Sequence, residues 1–472
     1  VRQIGLGSGV AVLVGSTIGS GIFKSPSGIA EKLPGPLPML AVWSVGGLCV
    51  LCGALSLSEV GGAYPYSGGL YVYIREAYGR LAAFLFGWAQ LVLLRPSSIG
   101  AVALVFGQYA LRLFGSQHGQ AGFNELSAGL AIGAIVVVTL ANVVGVKFGI
   151  TIQNVTTLAK TAGLLALILL ALVIALPHSG GHFSHATPAG SFSVSAFGLA
   201  LVSALWAYDG WADGSYVSGE MMNPRKNVPR AILIGTLVVI AVYLMANVAY
   251  LSVFSVQQIG ASKTIAADSM SKLVGAGGVT FIVATVMIST FGTLNGSVLT
   301  SPRIFFAISE DRLFFEPLSR VHPRFKTPYL SVLLCGSLGI LYVIAATALS
   351  GNKAFGTLTD AFVIGIVPFY ALSVGSLFVF RNREKKRQAG AGSMANPAGD
   401  SLVDPVGIRH PYDPPVRAAL YPITPILFIA STIFLLGNSL LDSSSRVATL
   451  ITLGILFVGI PIYYGTIARR FD

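Results

Sequence analysis

Apolar runs of about 20 residues recur about twelve times along the chain, and each is long enough to cross a roughly 30 Å hydrocarbon core as a helix. Inside such a core every backbone N–H and C=O must be satisfied by protein, which points to an all-α polytopic membrane protein. The spans are expected at about 5–32, 37–58, 80–114, 124–144, 149–177, 195–219, 229–254, 275–308, 329–350, 354–380, 418–440 and 446–468. Only 10% of residues are charged and 54% are hydrophobic. Soluble domains carry about 25% charged residues.

The net charge of +12 is distributed by side. With the amino terminus and the even-numbered loops placed in the cytoplasm, twenty of the thirty Lys and Arg residues fall in cytoplasmic loops. Seven fall in outer loops (Lys24, Lys32, Arg112, Lys263, Lys272, Lys353 and Arg446) and three inside spans (Arg95, Lys160 and Arg303). This is the positive-inside asymmetry, and it predicts that both termini are cytoplasmic. Basicity therefore records topology and calls for no nucleic acid partner.

Two spans are interrupted. In the first, Thr17-Ile18-Gly19-Ser20-Gly21-Ile22-Phe23 puts glycines and hydroxyls where a helix centre belongs, so the backbone is free to open. A half-helix to about Ile18, a break through Gly21 and a second half-helix from about Phe23 to Lys32 are predicted. In the sixth span, Trp206-Ala207-Tyr208-Asp209-Gly210-Trp211-Ala212-Asp213-Gly214 sets two acids and two glycines among aromatic residues, a composition suited to a partly unwound helix facing a cavity. Spans 1 and 6 open two consecutive sets of five, the pattern of an inverted repeat whose binding site lies at the midplane where the broken helices meet. The expected organisation is helices 1–5 over residues 1–177, helices 6–10 over 195–380, a cytoplasmic linker at 381–417, and helices 11 and 12 over 418–472.

Charges at membrane depth are costly and mark function or deliberate structure. Arg95-Pro96-Ser97-Ser98 lies near the middle of the third span, and Lys160 in the fifth. The stretch after the second span, ending at Tyr71 and Tyr73, is too polar to cross and is expected as a short helix at the cytoplasmic face with these tyrosines as interfacial anchors. Asn223-Pro224 and Val228-Pro229 are both expected to stop helix. Cys49 and Cys52 form a C-x-x-C without charged neighbours, read as small-residue packing. His178, His182 and His185 are spaced loosely like metal ligands but sit in an outer loop, and no metal or cofactor is expected. A membrane-embedded enzyme would carry paired carboxylates, a His/Asp cluster or a metal-ligand set at membrane depth, and the six histidines all lie outside the spans; no repeated pore signature points to a channel.

Five motifs in order resemble the L-type amino acid transporters of the amino acid–polyamine–organocation superfamily: Thr17 to Phe23; Arg95 to Ser98; Trp206 to Trp211 with Glu220 to Pro224; Asn295 to Ser297 with Ser301-Pro302-Arg303; and His322-Pro323 with Thr327-Pro328. The resemblance covers about residues 1–380. It implies twelve transmembrane helices in the LeuT-like five-plus-five fold with helices 1 and 6 broken, and sodium-independent exchange of amino acids by alternating access. Animal members pair with a single-span glycoprotein through a disulfide from the loop between helices 3 and 4. Here that loop, Gly115 to Gln120, has no cysteine, so the chain looks like a bacterial-type, plasma-membrane member working without that partner.

An amino acid presents a carboxylate and an ammonium, and a broken helix offers complements to both: free N–H groups where the second half begins and free C=O groups where the first ends. The carboxylate is assigned to the amides of Ser20, Gly21 and Ile22. The ammonium is assigned to carbonyls near Thr17 and Ile18, and to those of the second break over Trp206, Ala207, Tyr208 and Asp209. The resemblance adds Trp206 as the gate covering the substrate from outside, and Lys160 as a fixed cation in place of sodium, linked to Ser289 or Asn295 of the eighth span. Asp209 leaves the substrate class open: small neutral amino acids are expected, with cationic amino acids or polyamines as the alternative.

Overall fold

The computed structural model describes residues 4–65, 69–115, 120–144, 147–179, 183, 191–215, 218, 221–325, 327–389, 401–403 and 409–470. The first span is two helices, α1 (Leu6–Thr17) and α2 (Gly21–Ala30), bent by 43° across Ile18–Ser20. Pro26 is accommodated inside α2. Next come α3 (Pro36–Ala63), the short α4 (Leu70–Tyr78) and α5 (Arg80–Leu113). They are followed by α6 (Phe123–Val144), α7 (Lys147–Leu170, with irregular turns to His178), α8 (Val194–Tyr208) and α9 (Pro224–Val253). Two short helices, α10 (Val256–Ala261) and α11 (Ile265–Val274), precede α12 (Ala276–Glu310), α13 (Tyr329–Ser350), α14 (Ala354–Ala389), α15 (Ile423–Leu441) and α16 (Arg446–Ile462).

Among the described residues nine helices are long and apolar enough to cross a membrane, ten with the bent pair. One of the nine runs 60 residues from Tyr329 to Gln388, about 90 Å at 1.5 Å per residue. A turn at Gly351–Lys353, with Gly351 at φ +47°, divides it into α13 and α14. Large apolar side chains such as Val137, Leu169, Ile433 and Phe457 face outward, as lipid-facing surfaces do.

Proline chemistry shapes α5. Pro96 has no N–H to give the carbonyl four residues back, and a π-helical turn at Gln90–Leu94 precedes it. The Val92 carbonyl accepts instead from the Tyr342 hydroxyl of α13. Arg95 finds its partner one turn away, with Nε donating to Gln90 Oε1 at 2.8 Å.

Three expectations are corrected. Tyr71 and Tyr73 do not anchor in the interface: both are buried in protein, and Tyr71 donates to Asp311 at 2.5 Å. Val228-Pro229 does not end a helix, since α9 starts at Pro224 behind a left-handed Asn223 and runs on through Pro229. The basic run Arg381–Arg387, expected as the start of the linker, continues α14 to Ala389, where its guanidinium groups bond the Glu59 carboxylate and the Glu76 and Ala77 carbonyls. Within the rest of that linker a small antiparallel pair, Ser401–Val403 with Arg409–Pro411, is formed. Residues 390–400 and 404–408 lie outside the described residues, as do 116–119, Glu220, His182, His185 and the side chain of Arg303.

Among the described residues the ion pairs gather at two ends of the bundle. At the end where α2 finishes, Lys24 donates to the Lys263 carbonyl at 2.7 Å, Lys263 pairs with Glu31 at 3.0 Å, and Arg112 pairs with Asp268 at 2.9 Å. At the other end lie α4 with Asp311, and Glu59 with Arg381.

Candidate functional site

The two breaks are pressed together. A Cβ added to Gly21 would stand 2.6 Å from Ala207 Cα, and one on Gly210 would stand 2.9 Å from Thr17 Oγ1. Gly210 also has φ +106°, which turns the chain out of α8 and which L side chains rarely adopt. Of the glycines in the first break, only Gly19 has room beside it, its nearest neighbour being Thr293 of α12 at 3.8 Å.

Tyrosine hydroxyls fix this junction. Tyr243 on α9 donates toward both break carbonyls, Thr17 at 2.7 Å and Ala207 at 3.0 Å. Tyr250, seven residues on and therefore on the same helix face, reaches the Ile22 carbonyl at 3.3 Å, and Tyr109 of α5 reaches that of Phe23 at 3.2 Å. Tyr208 donates to the Trp43 carbonyl at 3.0 Å, and the rings of Trp43, Tyr208 and Tyr243 lie 5.2–5.7 Å apart. None of these tyrosine roles was read from the sequence. The available signal was the recurrence of phenol hydroxyls at membrane depth, where a buried O–H needs an acceptor.

Ser20 stands at the N-terminus of α2 and no side chain caps that end. The first N–H groups of a helix have no acceptor within it, so Gly21 and Ile22 offer donors to an anion. Thr17 Oγ1 turns back to the Leu13 carbonyl at 2.9 Å, while Ile18 and Ile22 are buried beside it. The predicted residues 17–22 and 206–209 are therefore brought into one place.

Trp206 meets α14 edge-on, 5.0 Å from the Phe362 ring and 6.4 Å from Phe355, and its buried Nε1 has no hydrogen-bond partner. Asp209, the residue after α8, accepts from the Tyr370 hydroxyl at 2.5 Å. It borders a small cavity of about 20 Å³ lined also by Cys49, Leu205, Trp211 and Phe362. Arg95 lies near enough for its charge to act on Asp209 and Asp213.

Lys160 is 1% exposed, and its Nζ donates to the Gly15 carbonyl at 2.5 Å, one turn ahead of the first break. Ser289 is buried with no partner for its hydroxyl, so it is not bonded to Lys160. Asn295 accepts at Oδ1 from Asn142 of α6 at 2.9 Å. Helices α7 and α12 approach closely next to Lys160, since a Cβ on Gly292 would fall 2.1 Å from Thr156 Oγ1. Among the described residues no three His, Cys, Asp or Glu side chains converge as a metal site would require.

A bundle of apolar helices with a broken span, its backbone ends turned inward against a second break, defines a polytopic membrane protein of the transporter class. The sequence profile described as amino acid permease matches residues 4–460, and the chain belongs to that family, within the amino acid–polyamine–organocation superfamily and its L-type transporters. It is 32% identical to the serine/threonine exchanger SteT of Bacillus subtilis (strain 168), over 99% of this chain and 98% of that one. It is 31% identical to the b(0,+)-type amino acid transporter 1 of Homo sapiens, over 82% of this chain and 77% of that one. The large neutral amino acids transporter small subunit 2 of Mus musculus is 31% identical over 98% of this chain and 80% of its own length.

Proposed function

We propose that the chain is a sodium-independent exchanger of small neutral L-amino acids that works by alternating access. The observation that carries this reading is the uncapped N-terminus of α2 set against the second break. The N–H groups of Ser20, Gly21 and Ile22 receive the carboxylate, and the carbonyls of Thr17, Ile18, Trp206, Ala207 and Tyr208 receive the ammonium. Tyr243 uses one lone pair on Thr17 and one on Ala207, and a carbonyl oxygen has two. Gly19 supplies the space for the ligand.

Trp206 is the gate, resting on Phe355 and Phe362. Lys160 ties α7 to α1 and replaces an ion as the fixed positive charge beside the break, with Ser289 and Asn295 of α12 as the neighbouring polar groups. The neutral substrate class is supported by the Tyr370 hydroxyl on Asp209, which occupies the acid that a cationic side chain would use. It is also supported by the serine/threonine exchange in the name of the Bacillus relative.

Twelve spans follow if the 329–388 stretch counts as two, and α8 with its unwound continuation and the bent pair count as one each. The five-plus-five inverted repeat then runs over residues 1–177 and 195–380. The loop basicity supports cytoplasmic termini in a bacterial plasma membrane, so the end where α2 finishes is the outer one. The cysteine-free loop at 115–120 supports action without a disulfide-linked partner.

Counterflow in proteoliposomes tests the reading. Labelled serine or alanine is expected to enter only when unlabelled amino acid is loaded inside, equally with and without sodium. Strong arginine uptake with no serine uptake would replace the neutral class by the cationic one, and uptake independent of internal substrate would remove exchange.

A further inference from the structure

One turn beyond Trp206, toward the end assigned as outer, lie two opposite charges that are not joined to each other. Lys32 follows the end of α2 and is half-buried; its Nζ donates to Ser203 Oγ of α8 at 3.2 Å. Asp360 stands on α14 between Phe355 and Phe362, the two rings that meet Trp206. Its Oδ1 is buried and has no hydrogen-bond partner. The charge of Lys32 reaches Asp360, yet no ion pair closes between them within 4.0 Å, although Lys263–Glu31 and Arg112–Asp268 do close at the same end.

A carboxylate oxygen left unpaired at the head of a membrane helix is costly, because burial strips its water without supplying a donor. What is left is an unpaired acceptor on α14 and a cation held against α8, the helix that also carries the unpartnered Trp206 indole N–H. A ligand that carries both charges a few ångströms apart satisfies both at once; a lone anion or cation satisfies one.

We propose that Lys32 and Asp360 form an outer subsite for a zwitterionic α-amino acid, with Lys32 on its carboxylate and Asp360 on its ammonium, directly outside the Trp206 gate. The proposal rests on the exchanger reading above and adds a second station to it. An incoming amino acid is held there, desolvated at both charges, before Trp206 admits it to the α2 N-terminus. Outward-released substrate passes the same groups in reverse.

The test is sided exchange kinetics for serine on oriented proteoliposomes, with Lys32→Met, Asp360→Asn and the conservative Lys32→Arg and Asp360→Glu. The neutral variants are expected to raise the outer KM at least fivefold and leave the inner KM within a factor of two. Lys32→Arg is expected to recover most of the outer affinity. Equal shifts on both sides, or none, would overturn the subsite while leaving the exchanger reading intact; absence of serine exchange in the unmodified protein would overturn that reading instead. If Lys32→Met fails to fold by size exclusion and melting, the Asp360→Asn and Lys32→Arg pair carries the same comparison.

Discussion

Tyr243 is the residue on which the two breaks depend. Its hydroxyl is fully buried and serves two carbonyls that the broken helices leave unpaired. Tyr243→Phe keeps the ring packing against Trp43 and Tyr208 and removes only that donor. A buried acceptor left unsatisfied costs about 1–3 kcal/mol, so the detergent-solubilised variant is expected to melt lower by several degrees and to bind serine at least fivefold more weakly. Wild-type melting together with wild-type affinity would show that the hydroxyl holds nothing. At this scale the sequence discloses charges and misses phenols. Lys160 and Asp209 stand out because a charge in an apolar run is costly, and Trp206 because it precedes the second break. Tyr243, set in Ala-Val-Tyr-Leu-Met, reads as one more large side chain, since nothing local tells where its hydroxyl points. The same blindness made Tyr71 look like an interfacial anchor when its partner, Asp311, lies 240 positions away.

Among the elements, α2 is the one whose placement decides the site. The break before it was legible from Gly19-Ser20-Gly21, but its start was placed two residues late: the helix begins at Gly21, not at about Phe23. What was not legible is that the two glycines do different work: Gly21 admits the backbone of Ala207, and Gly19 alone has free space. This difference is open to measurement. Gly21→Val forces branched methyl groups into Ala207 backbone atoms, and overpacking of this kind costs about 1–3 kcal/mol. It also parts the breaks, so exchange is expected to fall below a tenth of wild type. Gly28→Ala, two residues from the end of the same α2, meets nothing within 4 Å and is expected to leave transport unchanged and to stabilise by about 0.5 kcal/mol. Equal damage from both substitutions would mean that α2 tolerates no change anywhere, and the junction with Ala207 would lose its special standing. The π-helical turn before Pro96 was hidden for a related reason. The sequence shows the missing N–H of proline, but not that Tyr342 from α13 would take up the Val92 carbonyl.

For the whole molecule, one carboxylate ties the chain's end to its beginning. Glu59, at the far end of α3, is 0% exposed and accepts from Arg381 at 2.5 and 2.9 Å, from the Tyr412 hydroxyl at 2.7 Å and from the Ala418 N–H at 2.6 Å. Burial, and then the neighbouring Glu59 charge, push the Tyr412 hydroxyl far above its ordinary range, so it remains a donor. Tyr412 also stacks on Phe380 with ring centres 5.4 Å apart, and Arg381 lies over the Tyr421 ring at 3.8 Å. Residues 412–418 thus cross the end of the bundle assigned as cytoplasmic, in a stretch whose prolines and glycines promised only a linker. Local composition could not reveal this, because Glu59 lies 353 residues from Tyr412 and reads on its own as the polar end of a helix. The expectation of which side is cytoplasmic rests on counts of basic residues rather than on pairings. Removing one member of a buried ionic cluster leaves the others desolvated and unpaired, a loss of about 3–5 kcal/mol. Glu59→Gln is therefore expected to lower the melting temperature markedly and to expose the chain after Arg417 to trypsin. Asp413→Ala supplies the contrast: it deletes a pair with Arg225 in which the side chains are 70% and 51% exposed, worth at most about 1 kcal/mol, and should alter neither property. If Glu59→Gln melts and resists trypsin as the wild type does, the strap is not fastened by this carboxylate, and the order of residues 412–418 must come from the Tyr64, Phe380 and Tyr412 rings alone.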